Sequence, residues 1–289
     1  MEHLMPTLLL RYGEIGLKSE PVRRRFEQQL VADIRTRHAL AKVPCVISQS
    51  RGRVFVDSDD WRKSSEILSR TFGVVSFSPV TVVGSDLDEL TKAVLGFSEP
   101  LLCEGATFAI RSRRSGNHKY TSQTLAEHLG KAVLERYASL RIKVRLEEPE
   151  IELSVEVRDN KAYLFSSVLA GPGGMPLGTQ GRILSVVQSE DGLASTWLMM
   201  KRGCSVLVAT DDAAMLAPLN AWNPHLKSTD TEKDFFSLAA ANECIGIALE
   251  WTLDDIERKG GPKGDLPVFY PLVGLKEEDV KGLLARIRA

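Results

Sequence analysis

The sequence lacks the features of a secreted, membrane-bound or metal-binding protein. Its cysteines form no CxxC pair and have no histidine at ligand spacing; there are four, at positions 45, 103, 204 and 244. No apolar run approaches the roughly 18 residues of a membrane span, and the N-terminus has no signal-peptide pattern. We therefore expect a cytoplasmic protein with reduced and mostly buried thiols, no membrane association and no metal site.

Glycines are also missing at a position where the layout favours them. An apolar run at 183–187 and an apolar helical pattern at 191–202 flank a short turn. Such a strand–turn–helix unit can hold an anion at the helix N-terminus. A phosphate cradle needs glycines so that the backbone can approach the ligand. This turn instead carries Gln188-Ser189, followed by the carboxylates of Glu190 and Asp191, so it has the layout of a phosphate site without its chemistry.

The chain has little net charge, −1 at neutral pH, but the charges are unevenly distributed. Residues 1–75 contain 13 lysines and arginines against nine acidic residues, and residues 76–170 contain 12 against 13. Residues 171–289 contain 12 against 16. A basic first part points to a polyanionic partner there, and the acidic last part disfavours phosphate chemistry.

The order of predicted elements divides the first 170 residues into two regions. The first has strand–helix–strand–strand–helix–strand order, typical of a ferredoxin-like unit. Its predicted strands are 7–12, 46–48, 53–57 and 74–83, and its first helix begins at Ser19-Glu20-Pro21. In the second region we predict a helix at 86–96, a helix with a capping box at Thr124–Glu127, and strands at 106–112, 142–146, 151–157 and 162–169.

A glycine- and proline-rich linker, 171–178, precedes a third region. Its pattern predicts strands at 183–187, 205–210 and 266–269 and helices at 191–202, from Thr231 to about Lys259, and at the C-terminus. Alternating strands and helices favour a small parallel α/β unit, here with only three strands.

Three groups of segments carry a resemblance to one known family. They are residues 11–19 (RYGEIGLKS), 52–56 (GRVFV) and 72–75 (FGVV); residues 108–130 with 152–165; and residues 171–182 (GPGGMPLGTQGR), 198–204 and 269–274 (FYPLVG). In this order, the groups resemble the ferredoxin-like, THUMP and adenylating domains of the tRNA 4-thiouridine synthetases, also called thiamine-biosynthesis sulfurtransferases. The resemblance implies an α/β protein with a ferredoxin-like domain (1–77), a THUMP domain (78–170) and a shortened Rossmann-like PP-loop-type domain with a small parallel sheet (171–289).

In that family the last domain adenylates a uridine with ATP, which a Ser-Gly-Gly-x-Asp-Ser loop holds, and a cysteine persulfide supplies sulfur. Aligned without gaps, this loop falls on residues 187–192 (VQSEDG), where only Asp191 keeps the family residue. The chain also ends soon after Pro271, so we expect no counterpart of the family's downstream cysteine segment.

The loop residues oppose nucleotide binding on physical grounds. Glu190 brings a negative charge toward the place of the phosphates, and like unit charges about 5 Å apart repel by roughly 3 kcal/mol at an effective dielectric constant near 20. We therefore expect no cofactor. Should ATP with Mg²⁺ bind after all, the resemblance implies that Ser189, Asp191 and Gly192 hold it and that Asp191 is the catalytic carboxylate.

The resemblance also implies that the first two domains bind tRNA. One candidate surface is the basic tract at 111–120, with Arg111, Arg113, Arg114, Lys119 and Tyr120. A second consists of Arg11, Lys18 and the helical Arg23, Arg24 and Arg25, which cannot all face one way because successive helical residues turn by about 100°. For both surfaces the alternative is an ordinary solvated face.

We therefore interpret the chain as a tRNA-binding THUMP protein without ATP-dependent adenylation of its own. Two alternatives stay open: a divergent ATP-dependent tRNA sulfurtransferase, alone or with a partner subunit, and a scaffold without a ligand in its third domain. The expected partners are tRNA or another structured RNA, and either a second copy of the chain or a sulfur-transfer protein.

Overall fold

A computed structural model describes residues 6–50, 52–231 and 234–289 of the 289-residue chain. The strands in these ranges are β1 Thr7–Arg11, β2 Val46–Ser50, β3 Arg53–Asp57, β4 Ser76–Gly84, β5 Thr107–Ser115, β6 Lys143–Val144, β7 Ile151–Arg158, β8 Lys161–Phe165, β9 Leu169–Ala170, β10 Arg182–Val186, β11 Ser205–Ala209, β12 Lys227–Thr229, β13 Ile247–Ala248 and β14 Val268–Phe269. The helices are α1 Glu20–Leu40, α2 Trp61–Ser69, α3 Leu87–Ser98, α4 Ser122–Arg136, α5 Glu190–Lys201, α6 Ala217–Asn220, α7 Phe235–Ala241, α8 Leu253–Lys259 and α9 Glu277–Arg288.

The described strands form two sheets. The larger one is mixed, with the order β2-β3-β1-β4-β8-β7-β5-β6, and β9 pairs with β4. Within it β5 runs parallel to β7 and β6, while β8 is antiparallel to β4 and β7. The smaller sheet has the order β12-β11-β10-β13-β14, and every pairing in it is parallel.

One compact unit consists of the described residues up to Leu9, Phe55–Trp61 and Phe77–Leu169. Its core lies between the sheet and two helices, because α3 and α4 each bury one apolar face. Leu90 of α3 and Leu125 and Leu129 of α4 are fully buried together with Phe108 of β5. This packing fixes β5, which carries the three arginines of the predicted basic tract.

The second compact unit consists of Leu10–Val54, Arg62–Ser76 and Ala170–Ala289. Three large aromatic side chains share its principal core. The ring centroids of Phe72, Trp197 and Trp222 lie 5.2 to 5.5 Å from one another, two of the three pairs edge to face. Such geometry adds to the burial of their large apolar surfaces. Helix α5, which carries Trp197, is thereby held against the parallel sheet.

The predicted start of α1 is confirmed, whereas the predicted capping box of α4 is wrong by one turn. Ser19 is the N-cap of α1 and a proline lies in its first turn. In α4 the reciprocal cap joins Thr121 and Thr124, not Thr124 and Glu127: Thr124 N donates to Thr121 Oγ1 at 3.1 Å, and Thr121 N donates to Thr124 Oγ1 at 2.9 Å. A second threonine thus replaces the usual acidic partner, which the search for a Ser/Thr-x-x-Glu pattern missed.

The predicted long helix from Thr231 to about Lys259 is also wrong. Residues 232 and 233 lie outside the described residues; beyond them the chain forms α7, strand β13 and α8. The break follows α7, where Glu243 takes a φ of 55°, a conformation that a helix cannot continue. A short run of buried apolar residues fits a strand as well as a helix, because periodicity alone cannot separate the two.

Strand β13 lies between β10 and β14, so the smaller sheet has five strands in the described part of the chain and not three. Gly246 permits the close approach to β14: a Cβ at this position would lie 2.6 Å from Cε2 of Phe269. The residue at 246 therefore has to be glycine for β13 to enter the sheet.

The two buried tryptophans of the second core differ in one hydrogen bond. Trp222 Nε1 donates to the Ile287 carbonyl at 3.0 Å, whereas Trp197 Nε1 is buried without a hydrogen-bond partner in the described ranges. We expect Trp222→Phe to lower the free energy of unfolding by about 1 kcal/mol more than Trp197→Phe, since only the former leaves a carbonyl unpaired. Urea unfolding followed by circular dichroism measures both; equal losses would contradict this assignment.

Candidate functional site

The basic tract at 111–120 begins in a strand, not in a loop. Strand β5 continues to Ser115, three residues beyond the predicted end, so Arg111, Arg113 and Arg114 lie on the sheet. Their neighbours across the parallel ladder are Ser154, Glu156 and Val157 of β7. The three arginine side chains are exposed. Their backbone positions are thereby fixed by strand pairing before any ligand binds.

The cations of the tract differ in how strongly the protein already engages them. Arg111 pairs with Glu152, with Nε 3.1 Å from Oε2, and also donates to the Leu146 carbonyl. Arg114 donates to the Gly116 carbonyl at 3.2 Å. Arg113 and Lys119 are exposed and make no hydrogen bond or ion pair with any residue that the structure describes. These two side chains are therefore the ones available to an anionic partner.

Tyr120 anchors the end of the tract. Its hydroxyl donates to the Ser85 carbonyl at 2.9 Å, and its ring is stacked on His118 with the centroids 5.5 Å apart. Burial raises the pKa of Tyr120. The ring also packs against the core between α3 and α4. Tyr120 thus holds the turn between β5 and α4, and its predicted contact with RNA stays a prediction.

The second predicted basic surface lies in the other compact unit. Lys18, Arg24 and Arg25 are exposed, whereas Arg11 and Arg23 are half-buried. The exposed Arg25 guanidinium lies 5.2 Å from the centroid of the Phe26 ring. The helical turn thus separates the three adjacent arginines as expected, with Arg24 and Arg25 facing solvent.

The loop that resembles a phosphate cradle is occupied by a carboxylate of the chain itself. Oε2 of Glu250 accepts hydrogen bonds from the backbone N–H groups of Gln188 and Ser189, each at 3.1 Å. Glu250 follows β13, the direct neighbour of β10 in the parallel sheet, so the strand order brings it to the loop. The Ser189 side chain makes no capping hydrogen bond to α5. Glu250 thus accepts from the N-cap residue Ser189 and from the residue before it, whereas the amide of Gly192 in the first turn donates to the Ser189 carbonyl at 3.1 Å.

Gly192 is buried against this carboxylate. A Cβ at position 192 would lie 2.4 Å from Glu250 Oε2 and 2.8 Å from Cα of Val187. The glycine thus makes room for Glu250 in the described structure. Asp191 is half-buried in the first turn of α5 and makes no hydrogen bond or ion pair with other described residues.

Three carboxylates lie at the start of α5, and among the described residues one of them, that of Glu190, is paired with a cation. Glu190 pairs with Arg288 of α9, with Oε1 2.5 Å from Nη2. Glu250 and Asp191 supply the other two negative charges. A further anion at the amides of Gln188 and Ser189 would meet occupied donors and nearby negative charge.

The sequence predicted that Ser189, Asp191 and Gly192 lie together at the start of α5, but it did not indicate Glu250. The reason is the mistaken long helix, which placed position 250 inside a helix remote from the loop. The signal that could have found Glu250 is the apolar run ending at Leu249, because an acidic residue at the carboxyl end of a parallel strand lies at the edge where ligands bind.

Two of the predicted buried thiols are confirmed. Cys204 and Cys244 are buried, and burial raises the pKa of each thiol. The predicted long helix would have included Cys244, but this residue lies in the turn before β13. Cys103 is exposed and Cys45 half-buried. Among the residues described, no three His, Cys, Asp or Glu side chains are arranged to hold a metal ion.

None of the helices in the described part of the chain has the length and apolar character needed to cross a bilayer.

Two family models match the chain. The ThiI ferredoxin-like domain matches residues 7–78, and the THUMP domain matches residues 84–167. Among curated proteins, the probable tRNA sulfurtransferase of Methanobrevibacter smithii is 38% identical over 213 residues, covering 72% of this chain and 54% of that protein. The corresponding protein of Methanothermobacter thermautotrophicus is 36% identical over 213 residues, covering 72% and 53%. The chain thus spans about half the length of the curated relatives that it matches.

Solved structures share this architecture over nearly the whole chain. PH1313 from Pyrococcus horikoshii Ot3 is 26% identical with a TM-score of 0.83, covering 99% of this chain and 100% of that one. A 4-thiouridine synthetase, solved as an RNA complex with bound ATP, is 18% identical with a TM-score of 0.76, covering 98% and 85%. The predicted α/β fold with ferredoxin-like and THUMP domains is confirmed. The chain is a THUMP-domain protein related to the tRNA sulfurtransferases.

Proposed function

We propose that the chain binds tRNA, or another structured RNA, through the exposed cations of its first two domains, and that its third domain does not carry out ATP-dependent adenylation. The observation that carries the RNA part is the pair of unengaged cations, Arg113 and Lys119, in a tract that β5 and Tyr120 hold in place. A cytoplasmic location, where tRNA is available, follows from this proposal.

The tract suits recognition of RNA by backbone and shape. Lysine and arginine side chains contact phosphates and position the protein without reading bases. The major groove of an A-form helix is too narrow for side chains, so structured RNA is recognised mostly through phosphates and 2′-hydroxyls. The relatives named as probable tRNA sulfurtransferases and the 4-thiouridine synthetase solved with RNA support tRNA as the ligand.

The proposal of no adenylation rests on the loop. Its two amides already bind Glu250, and Gln188 and Ser189 carry side chains where a cradle needs glycine. Glu190 and Asp191 add negative charge at the same helix end. Each of these features opposes the binding of nucleotide phosphates.

A second candidate function is that of a divergent ATP-dependent tRNA sulfurtransferase. It is favoured by Asp191, whose carboxylate is unengaged within the described residues and could serve a magnesium–nucleotide complex. In this case the chain would act alone, as a homodimer, or with a partner protein that supplies sulfur. The amides of Gln188 and Ser189 would then have to release Glu250 before a nucleotide could reach Ser189, Asp191 and Gly192.

Loss of the two unengaged cations tests the RNA-binding tract. We expect the double variant Arg113→Ala, Lys119→Ala to bind tRNA about tenfold more weakly, and the slope of log affinity against log salt to fall by about one to two units, because two phosphate contacts disappear. Fluorescence anisotropy with labelled tRNA at several KCl concentrations measures both quantities.

The matched control is Lys131→Ala, Arg141→Ala. It removes the same net charge from the same compact unit, and both of its cations are exposed and paired with Glu135 and Glu104. We expect it to retain the affinity of the original chain. An equal loss in the control would show that only overall charge matters and would refute the assignment of the tract.

Pyrophosphate release tests the absence of adenylation. With tRNA, ATP and Mg²⁺ we expect no tRNA-dependent pyrophosphate from the original chain and the same background from Asp191→Ala, because the loop does not hold the phosphates. An active ATP-dependent tRNA sulfurtransferase, assayed with the same tRNA, is the positive control. Release that depends on tRNA and disappears in Asp191→Ala would establish the second candidate function instead.

A further inference from the structure

The amides of Gln188 and Ser189 form a two-pronged donor site for one oxygen atom. Both N–H groups point at Oε2 of Glu250, and Glu250 lies 61 residues beyond Ser189 in the sequence. Successive backbone amides at the start of a helix favour a negatively charged oxygen. The chain therefore supplies an anion of its own to a site built for one.

The fit leaves no room for a second anion on the same donors. Gly192 lies so close that a single added Cβ would be 2.4 Å from Glu250 Oε2. A phosphate oxygen at these amides would have to occupy the position of Oε2. Another anion can therefore bind these two N–H groups only by displacing the Glu250 carboxylate.

The surroundings of Glu250 allow such an exchange. A cavity of about 160 Å³ borders both Gln188 and Glu250, and aromatic side chains, Phe235, Phe236 and Trp251, form much of its wall. The residue before Glu250 is fixed, because Leu249 N donates to Phe269 O at 3.0 Å and Leu249 O accepts from Ser195 Oγ at 3.1 Å. The backbone therefore stays in place while the side chain has space beside the loop.

We propose that Glu250 is an internal plug: its carboxylate closes an anion site formed by the amides of Gln188 and Ser189, and displacement of that carboxylate opens the site to a phosphate or pyrophosphate group. This inference rests on the proposed function, in which the third domain does not adenylate, and it names the residue responsible. According to this proposal, the Glu250 side chain prevents anion binding at the loop, and the loss of the loop glycines is not the whole cause.

Removal of the plug in the 289-residue chain tests the proposal, with inorganic pyrophosphate as the probe. We expect Glu250→Ala to bind radiolabelled pyrophosphate about tenfold or more tightly than the original chain in equilibrium dialysis, since it frees two donors and removes one like charge. Glu250→Gln keeps an acceptor oxygen but loses the charge, so we expect a smaller gain. Glu257→Ala, an exposed residue on α8, removes the same charge elsewhere and should gain nothing.

The binding site is located by the backbone amide signals of Gln188 and Ser189. In ¹⁵N-labelled Glu250→Ala, we expect pyrophosphate to shift these two signals, whereas in the original chain it leaves them unchanged. The proposal is overturned if the original chain already binds pyrophosphate through these amides as tightly as the variant does. It is overturned equally if folded Glu250→Ala gains no affinity, and Glu250→Gln decides the matter should the alanine variant fail to fold.

The tRNA titration and the pyrophosphate-release assay on the same preparations separate this proposal from the proposed function. If the original chain does not bind tRNA, the RNA-binding proposal is refuted and the proposal of the plug is unaffected. An original chain that adenylates tRNA refutes the absence of adenylation. A Glu250→Ala chain that binds tRNA normally but gains no pyrophosphate refutes the plug alone.

Discussion

The two backbone N–H groups that lead into α5, those of Gln188 and Ser189, need an acceptor, and in this chain Glu250 provides it. A helix leaves its first N–H groups without partners inside the helix, and these must be satisfied from elsewhere. Here the neighbouring strand β13 delivers the carboxylate to the amides of Gln188 and Ser189. The strand order of the smaller sheet brings Glu250 to these amides, and the glycine at 192 leaves room for its carboxylate. A loop that leaves the same amides unpaired would be open to a ligand.

The N-terminal elements could be predicted because their signals are local. Ser19 and the proline two residues later mark the start of α1 without reference to any tertiary contact. The strand Arg53–Asp57 was predicted with its observed limits, since Gly52 precedes it and Val54, Phe55 and Val56 are β-branched or aromatic residues. The strand–turn–helix around position 188, and the absence of glycines from its turn, could likewise be recognised from the local sequence.

The partner of that loop could not be predicted, because it depends on contacts distant in sequence. The segment from Cys244 to Leu249 is apolar throughout, and only its place between β10 and β14 makes it a strand. Once it is assigned to a helix, Glu250 has no reason to be near Ser189. Tyr120 is a parallel case: its hydrogen bond to Ser85 O gives it an anchoring role that a basic, turn-rich sequence does not indicate.

The two candidate sites differ in how far the protein satisfies their polar groups internally. In the tract of β5, Glu152 engages Arg111, but Arg113 and Lys119 are left to solvent. At the start of α5, the donors and one of the acids already have partners within the chain, Glu250 and Arg288. Polar groups that are already paired gain little from a new partner, because binding only exchanges one contact for another. The same argument that favours an anionic ligand at the tract therefore disfavours one at the loop.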